Sequence, residues 1–131
     1  MKLTVVYDNR ATGELRQDWG FGCLIEMPEG TLLFDTGADW SILKYNMERL
    51  GIDAAGIDGV FISHLHWDHT GGLSGLIGEI GGRNVYLPAT GSEDLAAKLE
   101  AQGCKVERIS AAREIGPGLH STGPRDLPGA A

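Results

Sequence analysis

Ser63-His64-Leu65-His66-Trp67-Asp68-His69-Thr70-Gly71-Gly72 follows the apolar run Gly59-Val60-Phe61-Ile62 with no turn signal between them. That run is short and rich in β-branched and aromatic residues, as a buried strand is. It stops at Ser63, and three imidazoles and one carboxylate then fall within six residues. Packing alone seldom crowds polar rings in this way. Neutral imidazole and carboxylate are the ordinary ligands of zinc and of other borderline first-row ions. On a looped backbone His64 and His66 converge on one ion, while Asp68 and His69 turn towards a second position. Leu65 and Trp67 are expected to pack, leaving their neighbours free. A solvated loop with surface histidines would have no need of this spacing or of the strand-end placement.

On the N-terminal side, Lys2 to Tyr7 reads as a strand, and turn-prone Asp8, Asn9 and Gly13 open a loop of about a dozen residues. Phe21 to Met27 and Thr31 to Phe34 flank Pro28-Glu29-Gly30 and read as an antiparallel hairpin. Trp40 to Leu50 spaces Ile42, Leu43, Met47 and Leu50 as a helix does, with Asp39 or Ser41 as its cap and Gly51 as its stop. Beyond the histidines, residues 73 to 80 read as a glycine-weakened helix, Asn84 to Leu87 as a strand, and Ser92 to Gln102 as an amphipathic helix capped by Ser92. Lys105 to Ile109 is another strand. From Gly116 the density of Gly, Pro and Ala erases any periodicity, so the division is a domain over 1–115 and a loop-like tail over 116–131.

The bulk numbers agree with one globular unit. A chain of 131 residues with 42% hydrophobic and 22% charged residues can bury a core without disulfides. Its net charge is −7, and its 11 Lys and Arg form no stripe, so a nucleic-acid partner is not expected. Cys23 and Cys104 lie far apart without C-x-x-C spacing and are expected as reduced thiols. The N-terminus lacks a signal-peptide pattern and no apolar run approaches bilayer length, which makes a cytoplasmic location the expectation and excludes a membrane partner.

The decapeptide at 63 to 72 resembles the His-x-His-x-Asp-His signature of the metallo-β-lactamase superfamily. Leu33-Phe34-Asp35-Thr36-Gly37 is similar to that family's second motif, whose aspartate braces the metal loop, so Asp35 becomes the candidate brace. Read without the resemblance, Asp35 is a turn or capping aspartate ahead of the Trp40 helix. Val6-Tyr7-Asp8-Asn9, Asp18-Trp19-Gly20-Phe21-Gly22-Cys23 and Ser121-Thr122-Gly123 look like the dihydropterin aminobenzene-phosphate synthase-like branch.

The resemblance implies an α/β chain with a mixed sheet: about half of the αββα sandwich, its sheet covered by helices on one face. It implies a metal-dependent hydrolase acting through metal-activated water on an ester, lactam or phosphoester of a small-molecule substrate. His64, His66, Asp68 and His69 would be the ligands, and Asp68 would also orient or deprotonate the water. The cofactor would be one or two zinc ions, with manganese or iron as alternatives. Complete relatives draw further ligands from a C-terminal half, and the one histidine outside the motif here is His120, a weak candidate ligand. Half a sandwich leaves a sheet face open, so a homodimer or a separate C-terminal half is the expected partner. The competing readings are a non-catalytic metal-binding or regulatory half-domain and an inactive truncated fragment.

Overall fold

A computed structural model describes residues 1–124. Six strands, β1 (Lys2–Tyr7), β2 (Gly22–Met27), β3 (Gly30–Phe34), β4 (Gly59–Phe61), β5 (Asn84–Pro88) and β6 (Lys105–Ile109), lie in one sheet in sequence order. β1, β2 and β3 pair antiparallel, and β3 to β6 pair parallel. Parallel neighbours need crossovers, and helices supply them: α1 (Trp40–Arg49), then α2 (Trp67–Thr70) with α3 (Leu73–Ile80), then α4 (Glu93–Ala101). Right-handed crossovers that always step the same way across a sheet put every helix on one face.

The pairing register names the two faces. The row Thr4, Leu24, Leu33, Val60, Val85 and Val106 faces the helices. There Leu24, Leu33, Val60 and Val85 join Leu43 and Met47 of α1, Leu73, Leu76 and Ile77 of α3, and Leu99 of α4 in one buried cluster. The next row, Val5, Cys23, Phe34, Phe61, Tyr86 and Glu107, faces the other way. Phe34 and Phe61 stack there with centroids 5.7 Å apart, and Tyr86 continues the ladder 6.2 Å from Phe61. No helix covers this face among the described residues, and Leu3 and Val5 remain 63% and 50% exposed. The chain is therefore a mixed sheet with its helices on one side.

Two local expectations are corrected. From Gly116 a loop was expected, yet β7 (Arg113–Gly116) and β8 (Leu119–Ser121) form an antiparallel hairpin. Pro117-Gly118, which erases periodicity, is itself the turn: Gly118 takes φ 75°, which only glycine adopts cheaply, and proline precedes it. Residues 125–131 of the expected tail lie outside the described residues. Ser92 sits at the N-cap position of α4 but does not cap it. Its hydroxyl instead donates to Pro88 O at 2.5 Å and accepts from Arg108 Nε at 3.0 Å, because the neighbouring β6 arginine competes for it. Asp39 does cap α1, accepting from Ser41 N at 2.7 Å. Cys23 and Cys104 are both unbridged.

Candidate metal centre

The site forms where β4 runs out of sheet. Asp35 N donates to Phe61 O at 2.8 Å and Ile62 N to Tyr86 O at 2.9 Å, so pairing carries the chain to Ser63. There it leaves the sheet and turns into α2, whose N-cap is His66 and whose first turn holds Asp68. The carbonyl of His69 accepts from Thr36 N at 2.9 Å and Thr36 Oγ1 at 3.0 Å, clasping α2 to the segment after β3. Gly71 makes that clasp close: a Cβ there would lie 2.0 Å from Ala38 O. Gly20, in the long loop between β1 and β2, does the same on the other side, since its Cβ would meet Asp68 O at 1.9 Å.

Asp35 is the hub. It is 1% exposed and holds φ 58°, a left-handed conformation that costs a non-glycine residue ~1 kcal/mol or more. Its carboxylate offsets that strain with three partners: Ser63 N at 2.7 Å, Ser63 Oγ at 2.5 Å and His69 Nδ1 at 2.7 Å. A carboxylate oxygen accepts, so His69 Nδ1 carries the hydrogen and its Nε2 keeps a lone pair. Capping of α1 belongs to Asp39 alone, which leaves Asp35 to brace the histidine loop.

The four motif side chains converge. The rings of His64 and His66 have centroids 4.7 Å apart, those of His64 and His69 4.0 Å. Ligand atoms of His64, His66 and Asp68 lie within 4.8 Å of one another, as do those of Asp35, His64 and His69. His69 Nε2 lies 3.8 Å from Asp68 Oδ2. Burial, and then the neighbouring rings of His69 and His66, hold His64 below its ordinary titration range. That favours the neutral imidazole that ligates metal. A cluster of imidazole nitrogens and a carboxylate, with one ring already oriented from behind, fits a borderline divalent ion.

His120 stands apart from both ligand groups. It lies on β8, 66% exposed, with Nε2 3.6 Å from Glu114 Oε2. It does line, together with Ser63, a cavity of about 380 Å³ between the hairpin and the open sheet face, whose walls include Phe34, Phe61, Ile109 and Leu119. Leu65 packs against the core, whereas Trp67 does not and is 65% exposed. Trp40 packs on the core and Trp19 is 66% exposed.

Sequence reasoning missed the supports of this loop. Tyr7 is buried, donates its hydroxyl to Asp18 and accepts from Asp39 N at 3.1 Å. Asn9 Oδ1 accepts from Gly20 N at 2.7 Å. Together they pin the loop that presses on Asp68. The readable signal was the pairing of Tyr7-Asp8-Asn9 with Asp18-Trp19-Gly20 in the quoted branch motifs.

Comparison with known proteins agrees with this geometry. Over 65 residues the chain is 40% identical to the 7,8-dihydropterin-6-methyl-4-(beta-D-ribofuranosyl)-aminobenzene-5'-phosphate synthase of Methanocaldococcus jannaschii, covering 47% of this chain and 22% of that protein. It superposes on Tm1679, a metal-dependent hydrolase of the beta-lactamase superfamily, with TM-score 0.67 and 26% identity, covering 87% of this chain and 44% of that one. The short form of human tRNase Z shares the fold at TM-score 0.61 and 22% identity, over 82% of this chain and 44% of that one. The chain thus spans less than half the length of each of these relatives. Residues 23–112, well over half of the chain, match the family model itself, and the chain belongs to the metallo-β-lactamase superfamily.

Proposed function

We propose that this chain is a metal-dependent hydrolase, with zinc as the first-choice ion and manganese or iron as alternatives. The observation that carries this reading is the convergence of His64, His66 and Asp68 within ligand distance of one another beside a braced His69. A divalent ion held there supplies Lewis acidity and lowers the pKa of water. The chain's own residues then have distinct tasks. His64, His66 and His69 present imidazole nitrogens. Asp68, at the start of α2, would join them as a ligand and would orient the attacking water or take its proton. Asp35 holds the loop in shape from below. Ester, lactam and phosphoester substrates all suit this arrangement, and the phosphorylated pterin conjugate named in the archaeal relative makes a phosphoester the first probe.

On this reading the remaining ligand positions are filled from whatever covers the open sheet face, for which a second copy of the chain is the first expectation. The unbridged Cys23 and Cys104 suit the reducing cytoplasm. No described helix is long and apolar enough to cross a membrane. A second reading, a metal-binding half-domain without turnover, draws on the position of His120, which lies beside Glu114 and outside both candidate ligand groups among the described residues.

The test is hydrolysis of bis-p-nitrophenyl phosphate, p-nitrophenyl acetate and nitrocefin with added zinc, manganese or iron(II), beside the His66→Ala/Asp68→Ala double variant. Metal-dependent rates that vanish in the variant support hydrolysis. Equal background rates in both, with metal bound by the wild type, favour the half-domain.

A further inference from the structure

The hydrogen bonds around Ser63 determine more than the shape of the loop. Its Oγ lies 2.5 Å from Asp35 Oδ2 and 2.8 Å from His64 Nδ1. A hydroxyl has one hydrogen and two lone pairs. The short contact to a carboxylate oxygen, which has none to give, requires that hydrogen. Ser63 Oγ then has only a lone pair to offer His64, so Nδ1 must carry its own hydrogen. That places the ring lone pair on Nε2. An unconstrained imidazole side chain favours the opposite tautomer, with hydrogen on Nε2, so the loop imposes a choice that His64 would not make alone.

Resting on the metal-centre reading above, we propose that Ser63 is a positioning residue that fixes His64 as the Nδ1–H tautomer and thereby presents Nε2 for coordination. Asp35 acts on the site twice. It orients His69 directly, through the 2.7 Å contact to Nδ1, and it orients His64 through the Ser63 hydroxyl. One buried carboxylate thus sets two rings whose centroids are 4.0 Å apart. The serine that opens the motif is the relay, and threonine would preserve the hydroxyl while alanine removes it. Ser63 is exposed and outside the apolar core, so neither substitution alters core packing, although alanine leaves the buried Asp35 carboxylate one partner short where threonine does not.

The experiment is long-range 1H–15N NMR of the histidine side chains in metal-free protein at pH 8, with zinc affinity measured by chelator competition. Wild type, Ser63→Ala and Ser63→Thr are compared. The expected result is an Nδ1–H signature for His64 in wild type and Ser63→Thr, and loss of it in Ser63→Ala. Zinc affinity is expected to fall about 10–100-fold in Ser63→Ala and to be retained in Ser63→Thr. An Nε2–H signature in wild type, or an unchanged tautomer and affinity in Ser63→Ala, overturns the assignment. Should wild type show the Nδ1–H form yet bind no zinc, the metal reading falls while the tautomer assignment to Ser63 stands.

Discussion

Asp35 is held in a left-handed conformation by the contacts its carboxylate makes, and each contact reaches a different part of the histidine loop. Asp35→Asn keeps the shape but turns one acceptor into a donor facing Ser63 and His69. It is expected to cost about 1–3 kcal/mol of stability, by leaving buried polar groups unpaired, and about 10–100-fold in zinc affinity. Chemical denaturation and chelator competition check the two effects separately. Tyr7 offers a pH-dependent counterpart away from the ligands. Burial first, and then the hydrogen bond and charge of Asp18, push its hydroxyl above its ordinary value of 10.0. A group whose folded value is raised stabilises the fold fully below its unfolded value and loses that contribution as pH rises through and beyond it. Tyr7→Phe is therefore expected to be about 1–3 kcal/mol less stable at pH 7, with the gap to wild type narrowing above pH 10. Urea unfolding of both proteins from pH 7 to pH 11 checks this, and a gap that widens with pH would contradict it.

Among the elements, α2 is four residues long and stands only because neighbours hold it. Isolated turns of that length do not persist in water. Thr36 clasps its C-terminal carbonyl, and Gly71 lets the chain pass against Ala38. Gly71→Ala is expected to push the two segments apart at a cost near the upper end of about 1–3 kcal/mol, and to weaken zinc binding without touching a ligand. Thermal melting with and without zinc reads both effects. Most elements were legible in the sequence because their patterns are local: the β-branched and aromatic run in β1, the turn at Pro28-Glu29-Gly30 and the spacing in α1 need no distant partner. The two exceptions fail for different reasons. Ser92 looks like a cap until Arg108 from β6 takes its hydroxyl, and Pro117-Gly118 looks like a breaker until β8 returns to pair with β7. Arg108 lies 16 residues from Ser92 and acts only once the fold brings it there, whereas the β7–β8 hairpin is local and its strands are too short to show a hydrophobic period.

At the scale of the molecule, the sheet has one face packed under helices and one carrying Leu3, Val5, Phe34, Phe61 and Tyr86. The hairpin shelters one end of that second face and leaves β1 open. If a second copy covers it, light scattering at micromolar concentration gives twice the 14.0 kDa chain mass. Leu3→Glu/Val5→Glu is then expected to give a folded monomer, since both side chains are already exposed within the chain and surface changes typically cost about 0.5 kcal/mol or less. A wild-type monomer with an unchanged variant removes the second copy as the covering surface.

The sequence by itself determined the candidate ligand types, their crowding at a strand end and the family they resemble, because six consecutive residues carry that information without help from the fold. It also determined the order of β1 to β6 and of α1, α3 and α4 from local pattern, though not α2 or the β7–β8 hairpin. Only the tertiary structure decided which polar partners those side chains meet. Hydrogen bonds donated to Asp35, 28 and 34 residues away in the chain, orient Ser63 and His69, and the serine hydroxyl meets His64. Which nitrogen keeps its lone pair depends on distances of a few ångströms between segments that are distant in sequence, and those distances exist only after β3 and β4 pair side by side.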